Sequence, residues 1–451
     1  MDSVARRLGS ESFRRDFGVD YAYLSGSMYR GIASKELVVA MGRGGFMGFL
    51  GAAGLSPDRV RGDIAHIRRN LAPHQPFGVN LLCDLQDPAR ETAAVERLLA
   101  EGVRIVEASA FVKVTPALVL FHLSGLRRGP DGGVVRGHRI VAKVSRPEVA
   151  REFMRPAPQA LVAQLLAQGR VTPEQAGLAR GVPVAQDLCI EADSGGHTDR
   201  GVPTVLLPSM QALRRDLTRE FGYTEEIRLG AAGGIGTPQA VAAAFTMGAD
   251  FVMTGSVNQC TVEAGITDAV KDRLQEIDVQ DTDYCPAGDM FEIGALVQVL
   301  RKGVLFPARA NKLFALYKSY DSWDEIPEGT RRQIQETYFK RSVEEVWRET
   351  REHLERTGRV AEIGRAERSP KRRMALIFRW YYGYTSRLSF TDPERDPANV
   401  QVHTGPALGS YNQWVKGTPQ ENWRNRHVDR IAAGLMREAA GILTERLHAL
   451  A

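Results

Sequence analysis

The sequence predicts an α/β protein: a (βα)8 barrel with an added, mostly helical domain. Two observations support this fold class. Eight short apolar runs, separated by helix-length amphipathic segments, fill the first 285 of the 451 residues, and such runs are typical of parallel strands buried on both faces. Beyond residue 285 this alternation stops and long helical patterns take over. The length also suits a large barrel plus a second domain better than one small domain.

Helix starts between the predicted strands strengthen the barrel prediction. A capping side chain stands directly before a proline, which suits the first helical position because its missing N–H would be unpaired there anyway. An open doubly wound sheet is the alternative, but GSMYRGIAS after the first strand does not match its G-x-G-x-x-G fingerprint. The cap–proline pairs are Ser56-Pro57, Asp87-Pro88, Thr115-Pro116, Thr172-Pro173 and Thr237-Pro238, and Thr172 also forms a capping box with Gln175. The predicted strands are 23–28, 46–51, 77–82, 104–109, 139–144, 185–192, 227–232 and 250–255.

The chain divides into four predicted parts. Residues 1–20 form an N-terminal arm, and residues 21–285 form the barrel, with a helical insertion at 155–182. Residues 286–415 form a helical substrate or lid domain in which no strand is predicted. Residues 416–451 form a loop and a docking helix. The apolar face of that helix contains Val428, Ile431, Leu435, Ala439, Ile442 and Leu447.

Composition narrows the possible function classes. The chain has 59 Lys and Arg against 54 Asp and Glu, a net charge of +5, which is too weakly basic at this length to indicate nucleic-acid binding. Its four cysteines form no C-x-x-C pair, so we expect no zinc site, redox pair or disulfide framework, and no metal. The N-terminal segment has no apolar signal core, and no run of about 18 apolar residues could span a membrane. These features predict a cytoplasmic protein that binds neither nucleic acid nor membrane.

Three glycine-bearing stretches each follow a predicted strand. SGGH follows the sixth strand, AAGGIGTP the seventh and MTGSV the eighth. In (βα)8 barrels the loops after strands seven and eight commonly hold a phosphate, because glycine lets backbone N–H groups approach an anion and the next helix adds its dipole. The alternative is that these glycines only turn the chain. The predicted phosphate-binding residues are Gly233, Gly234, Gly255 and Ser256.

A flavin mononucleotide (FMN) held by that phosphate would lay its ring across the barrel mouth, against the loops after the early strands. Lys143 after strand five would then place a cation near the pyrimidine end of the ring. A structural ion pair for Lys143 and a loop-closing hydrogen bond for Asn80 are equally open interpretations. The candidate ring contacts after strands one, three and four are Ser27, Met28, Asn80, Glu107 and Ser109.

The stretch EADSGGHTD, residues 191–199, places two glycines directly before a histidine. The glycines allow a flat ring or a phosphate to lie close to the backbone, which adds Ser194, Gly195 and Gly196 to the candidate cofactor contacts. His197 is expected to point into the barrel mouth, where a side chain with a pKa near neutrality can donate a proton or polarise a carbonyl. A loop-capping histidine and a phosphate contact without chemistry are the alternatives.

Taken together, these motifs resemble a known family. The chain resembles the nitronate monooxygenase-like flavin barrels and, within them, the PfaD branch, the trans-acting enoyl reductases of polyketide and polyunsaturated fatty acid synthases. The resemblance covers nearly the whole chain, and EADSGGHTD and the long helical extension are its most specific features. Asp193 and Ser194 stand where the wider barrel pattern joins Glu-Ala directly to Gly-Gly-His, a departure that agrees with the PfaD branch. Further matching segments are FGVNLL, AAGGIGTPQAVAAAF, MTGSVNQ, KGVLFPARANKLFALYKSYDSW and GPALGSYNQWVKGT.

The resemblance implies an activity, cofactors and partners. FMN would be the bound cofactor and NADPH the hydride source, although the residues do not distinguish NADPH from NADH. The substrate would be an α,β-unsaturated (enoyl) thioester on an acyl carrier protein, and the partners would be polyketide or fatty acid synthase modules. His197 matches the histidine that faces the substrate and is the catalytic candidate, with water as the other proton source. The oligomeric state stays open, with a homodimer among the options.

Two features of the helical part bear on partner binding. An acidic carrier protein calls for a basic docking face, and the basic clusters lie at 365–374 and 424–430, although a solvated helix end is the better explanation of either cluster taken alone. The aromatic run 377–384 is expected to fill a core rather than line a tunnel. Two other functions compete with the enoyl reductase: a nitronate monooxygenase-like oxidase that uses oxygen, and a synthase assembly component without catalysis.

Overall fold

The computed structural model describes residues 2–85 and 87–450 and folds as two compact units. The first unit contains Met1–Asp193, Asp199–Gly265 and Ser410–Ala451, and the second contains Ser194–Thr198 and Ile266–Gly409. No helix in the described residues is long and apolar enough to cross a membrane.

The first unit is a closed barrel of eight parallel strands. Each strand pairs with its neighbours in the chain, and β8 pairs with β1 to close the ring. Each observed strand lies within its predicted run, so the predicted fold class is confirmed. The strands are β1 (Tyr23–Ser25), β2 (Met47–Leu50), β3 (Gly78–Leu82), β4 (Ile105–Ser109), β5 (Arg139–Val144), β6 (Asp187–Glu191), β7 (Arg228–Ala232) and β8 (Phe251–Thr254).

Helices follow the barrel strands, and their starts match the predicted caps. All five predicted cap side chains accept a hydrogen bond from the backbone N–H three residues further on, and the capping box at Thr172 is present. A hairpin of Leu126–Arg128 and Val134–Arg136 precedes β5. The α-helices of this unit are Asp2–Ala5, Glu11–Phe17, Lys35–Arg43, Pro57–Asn70, Pro88–Ala100, Pro116–Ser124, Pro147–Met154, Gln159–Ala167, Pro173–Leu178, Pro203–Phe221, Pro238–Thr246, Ser256–Gln259 and Val428–Leu450. Its 3₁₀ turns are Tyr29–Gly31, Ala179–Gly181, Pro419–Glu421 and Trp423–Asn425.

The N-terminal arm closes the end of the barrel where the strands begin. Arg228, the first residue of β7, is fully buried and donates to Asp187, the first residue of β6, at 2.7 Å. The same guanidinium donates to Asp16 of the arm at 2.9 Å and lies over the ring of Phe13. Phe13 in turn stacks on Phe251 of β8. This end of the barrel is therefore filled, so a ligand must approach the opposite end, where the strands finish.

The C-terminal helix Val428–Leu450 packs against Pro238–Thr246 and the arm. Its first turn is anchored, because Glu263 accepts from the Val428 N–H at 3.2 Å. The predicted apolar face is buried as far as Ala439, but Leu447 is 68% exposed, so the prediction that it belongs to the docking face is wrong. The last turns of the helix extend beyond the surface of the first unit against which its earlier turns are buried.

The second unit is mostly helical, around a small antiparallel sheet. Thr282–Pro286 pairs with Leu296–Leu300, which also pairs with Gly196–His197. The prediction of no strand after residue 285 is therefore wrong for Leu296–Leu300. A segment of five residues is too short for its pattern of apolar and polar side chains to distinguish a strand from a helix. The α-helices are Asp268–Leu274, Phe306–Ser319, Glu328–Gln333, Val343–Arg356, Val360–Glu367 and Pro370–Leu388, and Pro406–Trp414 leads back to the first unit. A π-helix, Ile334–Phe339, and the 3₁₀ turns Phe291–Ile293, Pro393–Arg395 and Pro397–Asn399 complete it.

Aromatic side chains form the core of the second unit. Phe291, Phe306, Phe339, Phe378 and Tyr381 are all fully buried in one cluster. The run 377–384 supplies several of these rings, so its predicted role in filling a core is confirmed.

Candidate active site

A buried hydrogen-bond network lies where strands β3 and β4 end, with Glu107 at its centre. Glu107 and Ser109 are two residues apart on β4 and therefore point to the same side, and Asn80 of β3 is in register with Glu107. The fully buried Glu107 carboxylate accepts from the Ser27 N–H at 2.8 Å, the Ser27 hydroxyl at 2.7 Å and the Ser109 hydroxyl at 3.0 Å. Asn80 donates to the Ser109 hydroxyl at 3.0 Å. The structure thus brings together four of the predicted site residues.

Lys143 adds a positive charge to this network. Its ammonium lies 3.0 Å from a Glu191 carboxylate oxygen and 3.9 Å from one of Glu107, and the side chain is 20% exposed. Burial alone would lower the pKa of Lys143, but the charges of Glu191 and Glu107 outweigh burial and raise that pKa above its ordinary value. Lys143 therefore remains protonated and forms the ion pair left open above, with part of its surface still accessible.

Glu191 was missed as a site residue. It ends β6 two residues after the buried Cys189, which is in register with Lys143, so the three side chains share one face of the sheet. The signal was in the sequence, because an acid that directly follows the apolar residues 188–190 of a buried strand calls for a partner. Met28, a predicted contact, is half-buried with its carbonyl against Gly51, where an added Cβ would lie 1.8 Å from the Met28 oxygen.

The glycine loops follow β7 and β8, which are neighbouring strands of the barrel. Gly233 and Gly234 have φ of +85° and +71°, a left-handed backbone that favours glycine. A Cβ on Gly233 would lie 2.7 Å from the Ala192 carbonyl, whereas a Cβ on Gly234 or Gly255 would meet nothing within 4 Å. Gly233 is thus required for packing, and the other two glycines face open space. Helix Pro238–Thr246, nine residues long, begins directly after the first loop with Thr237 as its cap.

These features fit the phosphate of FMN. The open space beside Gly234 and Gly255 leaves room for an anion, and the N-terminus of the helix that begins at Pro238 contributes a favourable dipole. Ser256 follows Gly255 and begins the short helix Ser256–Gln259. Within the described residues, no group of three or more His, Cys, Asp or Glu side chains is arranged to hold a metal ion.

A second buried polar cluster supports the loop after β8. Asn258 donates to the Ser25 hydroxyl at 3.0 Å and to the Thr254 hydroxyl at 3.0 Å, and the Tyr23 hydroxyl lies 2.6 Å from that same Thr254 oxygen. Burial raises the pKa of Tyr23 above its ordinary value, so the phenol stays neutral. These hydrogen bonds connect β1 to the end of β8, directly before Gly255.

His197 belongs to the second unit, in the short strand Gly196–His197. Its Nε2 lies 2.9 Å from the Asp289 carboxylate, and its side chain is 52% exposed. Gly196 has a φ of +85°, and a Cβ there would lie 3.6 Å from Nδ1 of the partly buried His403. Asp289 and His403 were missed because neither is near His197 in sequence or stands in a recognisable motif. Ser194 and Gly195, the other predicted contacts of this stretch, lie in the same segment of the second unit.

The basic cluster 424–430 does not present all its charges to solvent. Arg426 is buried and donates to Asn412 at 2.8 Å and to the Gln420 and Glu421 carbonyls. Arg426 is therefore a structural residue of the first unit. In the cluster 365–374, by contrast, Arg365, Arg368 and Arg373 are exposed.

Comparisons with known proteins connect these features to a family. Residues 17–124 match the family model of nitronate monooxygenase. Residues 320–399 match that of the inserted helical domain of [acyl-carrier-protein] S-malonyltransferase.

Proteins of known identity match nearly the whole chain. The chain is 42% identical, with a TM-score of 0.94, to the enoyl reductase domain of MlnA from the macrolactin biosynthesis cluster of Bacillus amyloliquefaciens, covering 98% of this chain and 99% of that one. It is 50% identical, over 99% of its length, to the polyketide biosynthesis protein PksE of Bacillus subtilis (strain 168), and 46% identical, over 91%, to a polyunsaturated fatty acid synthase polypeptide of Thraustochytrium sp.. The chain spans 58% and 20% of the lengths of these last two relatives.

The closed parallel barrel, its glycine loops and the matches define the class as a nitronate monooxygenase-like (βα)8 oxidoreductase. Within that class, the chain belongs to the family that includes the enoyl reductase domain of MlnA and the polyketide biosynthesis protein PksE, the PfaD family of the sequence motifs. The resemblance drawn from the sequence motifs is therefore confirmed.

Proposed function

We propose that this chain is a trans-acting enoyl reductase that reduces the α,β double bond of an enoyl thioester carried on an acyl carrier protein. The proposed cofactor is FMN, the proposed hydride source is NADPH, and the proposed setting is polyketide or polyunsaturated fatty acid biosynthesis in the cytoplasm. The observation that carries this proposal is the match, over nearly the full length of both chains, to the enoyl reductase domain of MlnA.

When bound, FMN supplies the chemistry of hydride transfer between a nicotinamide and an activated double bond. We assign its phosphate to Gly233, Gly234, Gly255 and Ser256, supported by the open space beside two of these glycines. The proposed contacts of its ring are Ser27, Met28, Asn80, Glu107, Ser109, Lys143, Ser194, Gly195 and Gly196.

Lys143 has a defined part in this proposal. Two carboxylates hold it protonated, and its remaining exposed surface offers a fixed positive charge to a ligand. A positive charge beside the ring favours the transfer of electrons into it. The Glu107 network then fixes Lys143, because a carboxylate with three hydrogen bonds cannot turn away from its partners.

His197 is the proposed catalytic residue. Conjugate reduction builds enolate character on the thioester, so a group that polarises the carbonyl or donates a proton lowers the barrier. The Asp289 carboxylate at Nε2 supports this role, because an adjacent negative charge favours the protonated imidazole.

The proposed partner is an acidic acyl carrier protein within a polyketide or fatty acid synthase. Support comes from the match of residues 320–399 to a helical domain of an enzyme that acts on a carrier protein. Helix Pro370–Leu388 carries five basic residues and no acidic one, which suits an acidic partner.

An absorbance spectrum of the purified protein, followed by anaerobic NADPH, tests the proposed function. We expect a flavin spectrum that bleaches with NADPH and recovers when a crotonyl-type thioester on a carrier protein is added. A colourless protein that takes up no added FMN would contradict the proposal and favour an assembly role. A flavin that ignores NADPH but is reduced by a nitroalkane would instead favour the oxidase, the function to which the match of residues 17–124 points.

A further inference from the structure

We propose that Asp289 is a positioning residue for His197, whose carboxylate orients the imidazole ring and keeps it protonated for the reaction. The inference rests on the proposed function for its catalytic meaning. The pairing itself stands on geometry within the second unit, where the His197 Nε2 and an Asp289 oxygen are 2.9 Å apart.

The loop that carries Asp289 is rigid on both sides. Phe291, two residues on, is fully buried against the rings of Phe314 and Tyr382. A Cβ on Gly288 would lie 2.6 Å from the Tyr382 Cβ, so this residue packs its backbone directly on a helix of the core. These two contacts hold the backbone of Asp289, whose side chain is itself 64% exposed.

The base of the same loop is closed by a hydrogen bond. The Ala287 N–H donates to the Ala295 carbonyl at 2.7 Å, where the strands Thr282–Pro286 and Leu296–Leu300 diverge. Loop and sheet are thus one continuous element, and Asp289 has a fixed distance from the strand that pairs with His197.

His197 is held by that same sheet. Gly196 and His197 are in register with Gln298 and Val297, and the Thr198 N–H donates to the Leu296 carbonyl at 3.1 Å. The loop of Asp289 and the strand of His197 both join Leu296–Leu300, so the sheet holds their backbones close together. The hydrogen bond therefore fixes the direction in which the ring presents its other nitrogen.

Asp289 and His403 are titratable groups of the second unit that face His197. Asp289 approaches from the loop, and His403 approaches from a segment that bridges to Val299. Burial, and then the charge of His197, lowers the pKa of His403 to about 4, and Gln401 contacts its ring at 2.7 Å. His403 is neutral near pH 7, so it adds no positive charge beside His197.

The charge on Asp289 completes the argument. Burial would raise the pKa of its carboxyl, but the hydrogen bond and charge of His197 outweigh burial and lower it below the ordinary value. The Asp289 carboxylate lies next to the His197 imidazole, and the His403 ring is neutral. A positive charge in this group of side chains therefore belongs on His197. His197 should therefore stay protonated to a higher pH than a histidine without such a partner.

NMR titration of the histidine Cε1–H signals in the full chain tests this inference. H197Q assigns the His197 signal. We expect D289N to lower the pKa of His197 by about one pH unit, and D289E to keep it near the wild-type value. E292Q is the matched control, because Glu292 lies in the same loop but pairs with Arg379 at 3.2 Å. An unchanged His197 pKa in D289N would overturn the inference.

Kinetics give a second and separate readout. In D289N we expect kcat for thioester reduction to fall at lower pH than in the wild type, with KM and the rate of flavin bleaching by NADPH unchanged. A fall in kcat without a shift of the pH profile would mean that Asp289 is merely structural, and would overturn the inference. If the wild type reduces no enoyl thioester, the proposed function fails, whereas the NMR titration still decides whether Asp289 controls the charge of His197.

Discussion

Lys143 is the residue on which the electrostatics of the barrel end depends. It faces Glu191 at 3.0 Å and Glu107 at 3.9 Å, and Glu107 is fully buried. One cation between two carboxylates leaves a net negative charge. The hydrogen bonds that Ser27 and Ser109 donate to the Glu107 carboxylate stabilise this charge. Such a site is polarised, and a bound ring would meet the positive end at Lys143.

We predict that K143M slows the bleaching of bound flavin by NADPH at least tenfold, whereas K143R stays within a few-fold of the wild type. The methionine removes the fixed positive charge, and the arginine keeps it. Anaerobic stopped-flow absorbance measures both rates.

K143M also leaves Glu107 and Glu191 without their cation, which could prevent folding. The variant K143M/E191Q removes one opposing charge and restores the balance, so it is the control for folding. A wild-type bleaching rate in K143M/E191Q would contradict the assigned role of Lys143.

Residue chemistry was predictable from the sequence only where motifs are local. The predicted contacts Asn80, Glu107 and Ser109 do share one network, because strand alternation and register fix their direction. Asp289 stands 92 residues from His197, and only the folding of the second unit brings the two together. No periodicity or spacing in a single sequence reports a contact of that kind.

At the scale of elements, the N-terminal arm closes the end of the barrel where the strands begin. Asp16 binds Arg228 at 2.9 Å and Arg139 at 3.3 Å, and thus connects the arm to the first residues of β7 and β5. Since Arg228 is fully buried between Asp16 and Asp187, arm and barrel are held by an ion-pair network rather than by apolar contacts alone.

We predict that R228M destabilises the protein by roughly 3–5 kcal/mol, because it leaves the buried Asp187 without its partner. R15M is the matched control: Arg15 also pairs with Asp16, at 3.6 Å, but is 72% exposed, so its loss should cost less than about 1 kcal/mol. Urea unfolding followed by circular dichroism measures both.

The double variant R228M/D187L separates charge from packing. It removes both members of the buried pair, while Asp16 keeps Arg139 as a partner, so it should recover part of the lost stability. Equal destabilisation by R228M and R15M would contradict the role given to the buried network.

Elements were predictable where a local signal was strong. All eight barrel strands and five capped helices lie where alternation and cap–proline pairs predict them. The strand Leu296–Leu300 was not, because its pairing with Thr282–Pro286 and with Gly196–His197 is set by tertiary contacts. Its five residues carry no pattern that excludes a helix.

At the scale of the whole molecule, the two matched family models fall in different units. Residues 17–124 lie in the barrel unit and residues 320–399 in the helical unit. The first model is named for an oxygenation, and the second is named for an acyl transfer that uses a carrier protein. On the proposed function, we expect the basic surface within residues 320–399 to be open to substitution without changing the barrel unit.

We predict that reversing the charge of Arg365, Arg368 and Arg373 raises KM for a carrier-bound enoyl thioester at least tenfold and leaves kcat unchanged. These three residues are exposed on the helical unit, and opposite charges accelerate the encounter with an acidic carrier protein. A short thioester without a carrier should be reduced at the wild-type rate. Steady-state kinetics with the two substrates provide the comparison, and added salt should weaken the wild-type preference for the carrier-bound one.

Charge reversal of Arg127 and Arg128 is the matched control for this experiment. Both are exposed on the hairpin of the barrel unit, so the control lowers the net charge at a different position, with two reversed residues against three. If the control raises KM as much as the variant of the helical unit, net charge rather than a defined surface attracts the carrier. If neither changes KM, carrier recognition lies outside the cluster 365–374, and the basic residues there are a solvated helix end.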